Sequence, residues 1–233
     1  MDGYHLVVEL AVGVGVPASR LEGTVGLLAA NARWDYAGLP YWEGEVDCCI
    51  NSWTLANGVW LGASVERIAR WFVDHRLGDG GWNCEWVEGS VRSSFHSTLN
   101  SLKGLRAYEV AVGGDDDVRR AREGGEEYLL ERGLMRRLSS REVVGEFVTQ
   151  FRSPFRWGYS VLNALDYFRG VGRKDPRMAE AVEVVRAARQ DDVTWLQGGR
   201  HPGDVWFEID VPKGEPSKWL TFYALRVLGW WGS

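Results

Sequence analysis

The chain contains four nearly uncharged stretches in which apolar side chains recur with helical spacing. An alignment of the four places Asn51, Asn100, Asn163 and Ala224 at equivalent positions, 49, 63 and 61 residues apart. Helices with so few charges are buried on most sides. A pattern that recurs at such intervals also indicates a repeat architecture. We therefore predict four inner helices that begin near residues 47, 94, 157 and 218.

The segments between these stretches are amphipathic and charged, as outer helices are. They cover residues 64–77, 117–132 and 176–189. Ser64, the run Asp115–Asp117 and Asp175 before Pro176 supply helix starts. No stretch alternates with period two, so we expect no sheet. The pattern predicts an all-α fold with residues 1–233 in one domain. This domain is an α/α toroid, or a partial or small α/α barrel, of about four to five hairpins.

The connections between the predicted helices are long and rich in two residue types. The chain has 13 Trp and 29 Gly, and many of them fall in the segments 33–45, 78–92, 134–155 and 190–216. Long connections in a compact domain are usually functional or disordered. The indoles favour ordered loops that are pinned over one end of the ring.

Charge and cysteine content narrow the class of protein. The net charge is -5 and no basic stripe is interleaved with aromatic residues, so we expect no nucleic-acid partner. The longest apolar run, residues 6–17, is too short for a bilayer span and does not resemble a signal peptide. Three cysteines, two of them adjacent, make a disulfide framework improbable and favour a cytoplasmic location.

Two further segments carry a family resemblance. Asp79-Gly-Gly-Trp-Asn, followed by Ser93-Ser-Phe-His-Ser-Thr-Leu-Asn, resembles the terpenoid cyclase and protein prenyltransferase superfamily, in which such turns precede the inner helices. The tail, with Arg200-His-Pro-Gly and Pro216-Ser-Lys-Trp, is similar to squalene-cyclase-like or prenyltransferase-like bacterial proteins. The resemblance covers most of residues 40–233. It implies an α/α barrel whose central cavity holds an apolar, isoprenoid-like or polyketide-like molecule.

The chain departs from that superfamily in its acidic motifs. The Asp-x-Asp-Asp proton donor of class II terpene cyclases has no match, because the nearest string, Asp115–Asp117, opens a predicted outer helix. The Asp-rich magnesium motif of class I enzymes is also missing. We therefore do not expect the usual proton-initiated cyclisation.

A second resemblance predicts a metal. Glu45-Val-Asp-Cys-Cys-Ile is similar to the segment of prenyltransferase β-subunits that gives zinc an Asp and a Cys two residues apart. In those enzymes a His on the next inner helix completes the set. The resemblance implies Asp47, Cys49 and His96 as Zn²⁺ ligands.

The residue types support a zinc site independently of the family resemblance. Zinc accepts carboxylate, thiolate and imidazole ligands, and catalytic sites leave one position open. The starts of adjacent inner helices also share one end of a ring. Cys84, in a loop at that end, is a possible fourth ligand, whereas Cys48 should point elsewhere if Cys49 points inward. The alternatives are an N-cap role for Asp47 and core roles for the Cys and His side chains.

Other candidates have a functional and a structural interpretation each. Glu85 is a possible general base or a solvated loop carboxylate, Tyr159 lines the cavity or packs, and Glu208 is a possible acid. Arg200 and His201 contribute to a substrate clamp, or an Arg–carboxylate pair between Arg200 and Glu208 pins a loop. A possible aromatic wall, or part of the core, consists of Trp53, Trp82, Trp157 and Trp219.

The leading hypothesis is a zinc-dependent enzyme that cyclises an apolar small molecule or transfers a group to it. One rival is a non-catalytic helical-ring module for binding or interaction, since fold does not fix function. The other is a metal-free cyclase in which a loop carboxylate such as Glu208 supplies the acid. A homodimer or a heterodimer is compatible with all three.

Overall fold

The computed structural model describes residues 16–113, 115–200 and 208–233, and these are mostly helical. None of the described helices is both long and apolar enough to cross a membrane. The α-helices are α1 (Thr24–Asn31), α2 (Cys48–Leu61), α3 (Glu66–Asp74), α4 (Phe95–Val112), α5 (Asp116–Glu131), α6 (Val161–Val171), α7 (Ala179–Ala187) and α8 (Lys218–Gly232).

The chain divides into two compact units, Met1–Glu127 and Tyr128–Ser233, and the division falls inside α5. The predominance of helix confirms the predicted all-α class. Closure into a toroid and the assignment of residues 1–233 to one domain stay predictions.

Helices are present at the four positions where inner helices were predicted, and they begin close to the expected residues. They are α2, α4, α6 and α8, which start at Cys48, Phe95, Val161 and Lys218. Three of these helices have a serine N-cap whose hydroxyl accepts a hydrogen bond from the backbone N–H three residues later: Ser94, Ser160 and Ser217. Such a hydrogen bond is the usual partner of a free backbone N–H at the start of a helix. The small or polar residue before each apolar stripe is what made the starts predictable.

The outer helices agree in position, but one expected start differs. The Asp115 carboxylate accepts from the N–H groups of Asp117 and Val118, and the Asp175 carboxylate accepts from the N–H of Arg177. Both are the predicted caps. Ser64, however, donates its hydroxyl to the Glu66 carboxylate, and Val65 is the N-cap of α3 without a side-chain bond. The Ser64 hydroxyl is therefore a partner of a first-turn carboxylate.

A small sheet is present where none was expected. Trp195–Leu196 (β1) and Pro216–Ser217 (β2) pair in antiparallel register, with Trp195 opposite Ser217. Two residues per strand are too few to produce a period-two pattern in a sequence, which explains why the prediction of no sheet was wrong.

Tryptophan indoles pin the loops, as their frequency predicted. Each of five indole N–H groups donates to a backbone carbonyl at 2.8–3.0 Å: Trp34 to Tyr41, Trp42 to Val25, Trp82 to Phe72, Trp86 to Val46, and Trp195 to Val185. An indole combines a large apolar surface with one donor, so it can bury a loop and satisfy a carbonyl together.

The two units repeat the same outer helix and following loop. Helices α3 (Glu66–Asp74) and α7 (Ala179–Ala187) both have nine residues and start 113 residues apart. Trp82 and Trp195 follow them at that same separation, and each indole bonds to a carbonyl ten residues earlier. The structure therefore contains a duplicated hairpin.

The same repeat continues into the next inner helix. The backbone N–H of Trp82 donates to the Thr98 hydroxyl at 3.2 Å, and that of Trp195 donates to the Thr221 hydroxyl at 3.1 Å. Each threonine is the fourth residue of its helix, α4 or α8. The tryptophan therefore ties the end of an outer helix to the start of the next inner helix in both units.

In the first unit, α2 and α4 approach each other so closely that only glycine fits at one crossing point. A Cβ on Gly104 would lie 2.7 Å from the backbone oxygen of Ser52 and 2.8 Å from its Cα. The Ser52 hydroxyl donates to the backbone oxygen of Asn100 at the same crossing. Both helices are thereby fixed against each other over the turns that follow their first residues.

We predict that Gly104→Ala destabilises the protein by about 2 kcal/mol, because overpacked contacts with backbone atoms force the helices apart. Gly170, an exposed helical residue with nothing within 4 Å of an added Cβ, provides the matched control. Gly170→Ala should stabilise by about 0.5–1 kcal/mol. Urea unfolding of the three proteins checks both signs. Equal stability of the two variants would contradict the close approach.

Val193 occupies a conformation that suits glycine. Its φ is 66°, and its counterpart 113 residues earlier, Gly80, has a φ of 100°. The two loops share their hydrogen bonds: Gly80 N–H to Leu77 carbonyl in one, and Val193 N–H to Gln190 carbonyl in the other. A β-branched residue is strained at positive φ. The second loop therefore keeps the shape of the first at an energetic cost.

We expect Val193→Gly to stabilise the protein by about 1 kcal/mol, because relief of the left-handed strain exceeds the added flexibility of the unfolded chain. Val143 is similarly exposed but has no positive φ, so Val143→Gly should be destabilising. Thermal unfolding measures both effects. A loss of stability in the Val193 variant would show that the strain is negligible.

Candidate metal centre

Two cysteines stand at the very start of α2. Cys48 and Cys49 are its first two residues, and Asp47 is the N-cap. Cα–Cβ bonds in a helix tilt towards the N-terminus, so consecutive side chains in the first turn can both reach a group beyond the helix end. The free N–H groups and the positive end of the helix dipole at this place favour negatively charged sulphur.

The third cysteine is held over that helix end by a short loop. Cys84 opens a 3₁₀ helix, Cys84–Glu88, whose N-cap Asn83 accepts from the Glu85 N–H at 3.1 Å. The Trp86 indole donates to the carbonyl of Val46, the residue before Asp47, at 2.8 Å. This bond fixes the loop on the segment that leads into α2.

The three thiols form one group. The Cys84 sulphur lies 3.3 Å from the Cys48 sulphur and 3.3 Å from the Cys49 sulphur, and all three sulphurs lie within 4.8 Å of one another. All three cysteines are free. With a Zn–S bond of about 2.3 Å, tetrahedral zinc separates its sulphur ligands by about 3.8 Å. The group can therefore hold a metal ion after shifts of about 0.5 Å.

The inclusion of Cys48 corrects the expectation that it points elsewhere when Cys49 points inward. That expectation treated the two residues as if they lay in the middle of a helix, where side chains one position apart diverge. At the first turn, the target lies along the helix axis, beyond the N-terminus, and both side chains reach it.

Helix α4 contributes Ser97 to the same group. The Ser97 hydroxyl donates to the Cys84 sulphur at 3.3 Å and accepts the Cys84 N–H at 3.2 Å. The Asn100 amide donates to the Cys49 sulphur at 3.6 Å. His96 is not one of the residues whose ligand atoms make up the group, although its backbone carbonyl accepts from the Asn100 amide at 2.8 Å.

Asp47 has a buried oxygen beside the thiols. Its side chain forms no N-cap hydrogen bond, and Oδ1 is buried without a hydrogen-bond partner among the described residues. A buried carboxylate oxygen without a partner is costly and needs an explanation. The N-cap interpretation does not provide one. A metal ion, or a donor bound to one, would satisfy this oxygen.

The pKa values of the three thiols are raised. For Cys49 the main cause is the contact with the Cys48 thiol; burial and the Asp47 charge add to it, and the Cys84 contact opposes it. For Cys84, the contact with Cys48 lowers the pKa, but the Cys49 contact, burial and Asp47 outweigh that effect. Crowded thiols thus keep their protons until a cation compensates the negative charge.

The other residues predicted near the metal are more dispersed. Glu85 is exposed next to Cys84. Trp53 lies on α2, four residues after Cys49 and thus on the same helix face, with the Lys103 ammonium 5.9 Å from its ring centroid. Trp82 is fully buried as a loop anchor.

In the second unit, Tyr159 is buried, and its hydroxyl donates to the Leu134 carbonyl at 2.6 Å. Burial raises its pKa well above the usual range. These contacts agree with the interpretation in which Tyr159 packs in the core. Trp157 is 46% exposed, and the indole of Trp219 donates to the Ile209 carbonyl at 3.4 Å.

Arg200 and Glu208 pair with each other at 2.5 Å and both line a cleft of about 490 Å³ in the second unit. His201 lies outside the described residues. The expected Arg–carboxylate pair is therefore present, on the border of a cavity.

Sequence reasoning missed Cys48 and Ser97. The adjacent cysteines directly after a helix N-cap were the available signal for Cys48. No signal in the sequence indicated Ser97, because the precise rotation of α4 decides whether residue 96 or 97 faces the thiols.

No protein-family model, no curated protein and no solved structure matches the chain. The resemblance to the terpenoid cyclase and prenyltransferase superfamily therefore stays a prediction.

Proposed function

We propose that the chain binds one zinc ion through Cys48, Cys49 and Cys84, and that the ion serves a reaction on an apolar small molecule. The observation that carries the proposal is the convergence of three free thiols at the start of α2. Zinc is the common structural and catalytic ion for thiolate-rich sites. Three thiolates leave a fourth position for an exchangeable donor.

Asp47 supports a working site over a purely structural one. Its Oδ1 is buried and has no hydrogen-bond partner among the described residues, and the Asp47 carboxylate acts on Cys49 and Cys84. Such an oxygen can accept a hydrogen bond from the fourth donor or take its proton. Zinc would supply Lewis acidity or activate the fourth donor. The residues of the chain then have separate tasks: the cysteines bind the ion, and Asp47 orients the reacting group.

Two tryptophans near the thiols support an apolar substrate. Trp53 shares a helix face with Cys49, and Trp86 belongs to the same 3₁₀ helix as Cys84. Aromatic surfaces suit an apolar or cation-like reacting molecule. Cyclisation and group transfer on an isoprenoid-like or polyketide-like molecule are both compatible with this lining. The metal-free alternative based on Glu208 receives less support, because that carboxylate is exposed and paired with Arg200.

Metal analysis tests the proposal. Protein purified after expression with zinc should contain about one zinc ion per chain, and Cys48→Ser and Cys84→Ser should each abolish tight binding, because thiolates provide most of the affinity. In the cobalt form, three thiolates should give a strong sulphur-to-metal charge-transfer band. A protein that stays metal-free in excess zinc would overturn the proposal.

His96→Ala and Glu85→Gln are the matched controls. Under the three-thiolate assignment both variants keep their zinc, whereas the alternative ligand set of Asp47, Cys49 and His96 predicts that His96→Ala loses it. Zinc retained by Cys48→Ser but lost by His96→Ala would reject the three-cysteine site in favour of that alternative.

The stability of the protein after removal of zinc distinguishes a catalytic ion from a structural ion that the fold requires. At a free zinc concentration of 100 times Kd, binding should raise the free energy of unfolding by about 2.7 kcal/mol. Because the α2–α4 contact does not involve the ion, the metal-free protein should remain folded in circular dichroism. Unfolding on chelation would assign the ion a structural role instead.

A further inference from the structure

The second unit has its own cleft at the position that corresponds to the thiol group. Gln197 follows Trp195 by two residues, as Cys84 follows Trp82, and its side chain lines the cleft. Twenty residues lead from Gln197 to the N-cap Ser217, against ten from Cys84 to the N-cap Ser94. Residues 208–213 of the longer connection line the cleft.

The floor of the cleft is polar, and its hydrogen bonds are internal. The Gln197 amide donates to the Ser153 carbonyl at 2.9 Å and to the Asp210 carboxylate at 3.1 Å, and its oxygen accepts the Ser153 N–H at 3.2 Å. Asp210 also accepts from the Ser217 hydroxyl and from the Val211 N–H. The carboxylate oxygens of Asp210 are therefore hydrogen-bonded within the floor.

Among the described residues that line the cleft, three carry a positive charge. They are Arg156, Arg200 and Lys213, and the carboxylates that line the same cleft are Asp210 and Glu208. Glu208 pairs with Arg200, and Asp210 is engaged in the floor. The Lys213 ammonium has no hydrogen bond or ion pair with a described residue. The described residues that line the cleft therefore carry one more positive charge than negative charge, which favours an anionic molecule.

Arg156 reaches the cleft from a strained backbone. Its φ is 45°, in the left-handed region that non-glycine residues rarely adopt. Strain of this kind is held by the surrounding structure and is frequent where a side chain serves a ligand. Apolar side chains of Ile209 and Val211 line the same cavity of about 490 Å³. This volume lies in the range of small-molecule sites.

We propose that this cleft binds a small amphipathic anion, with its carboxylate or phosphate head between Arg156 and Lys213 and its short apolar tail against Ile209 and Val211. Guanidinium and ammonium groups are the usual partners of such heads. The site is separate from the thiol group, so the proposal does not depend on zinc.

Calorimetric titration with octanoate, octyl phosphate and octanol tests the site and distinguishes the two head groups. At least one of the two anions should bind with 1:1 stoichiometry, and octanol should bind at least about tenfold more weakly. Arg156→Met and Lys213→Met should each weaken the anion about tenfold. Lys174→Met, which removes an exposed charge of the same unit outside the cleft, should leave the affinity unchanged.

Unfolding temperatures and circular dichroism of the variants establish that the cleft is intact before the affinities are compared. If neither anion binds, the proposal is overturned. Equal binding of octanol, or an affinity insensitive to Arg156→Met and Lys213→Met in folded proteins, overturns it as well. Zinc content should stay the same in all of these variants, so the result is independent of the metal centre.

Discussion

The hydrogen bond from a buried tryptophan indole to a carbonyl ten residues earlier is the constraint on which both units depend. In the first unit, the bond from Trp82 to Phe72 holds the loop that ends in Cys84 against the last turn of α3. The N–H of Trp82 then engages Thr98 at the start of α4. Without this link, the loop would not hold the Cys84 sulphur over α2. Trp195 performs the same task in the second unit.

Much of the secondary structure could be predicted because it depends on local signals. Apolar stripes of helical period and small polar caps identified the inner helices near Cys48, Phe95, Val161 and Lys218. Closure of the helices into a ring is not predictable in this way, because it would depend on contacts between distant segments. The two-residue pairing at Trp195 was missed for a related reason, since so short a strand has no periodicity of its own.

The candidate site was predictable in part. Cys49 and Cys84 were expected to meet because a loop and a helix start at the same end of a hairpin converge. Cys48 was excluded by a rule for helix interiors that does not hold at the first turn. His96 was predicted from the resemblance and from its chemistry. Which side chain of α4 faces the thiols, however, follows from the rotation of that helix, which its contact with α2 determines.

The indole ties also have a consequence for how the chain folds. They close loops of only ten residues, and the bonds from Trp82 and Trp195 to the following helices span 16 and 26 residues. Contacts between residues so near in sequence cost little loop-closure entropy and are typical of rapidly folding helical proteins. Each hairpin can therefore form the contacts at its end early, before segments that are farther apart in the sequence meet. The loop over α2 would then be in place as soon as its own neighbourhood has formed.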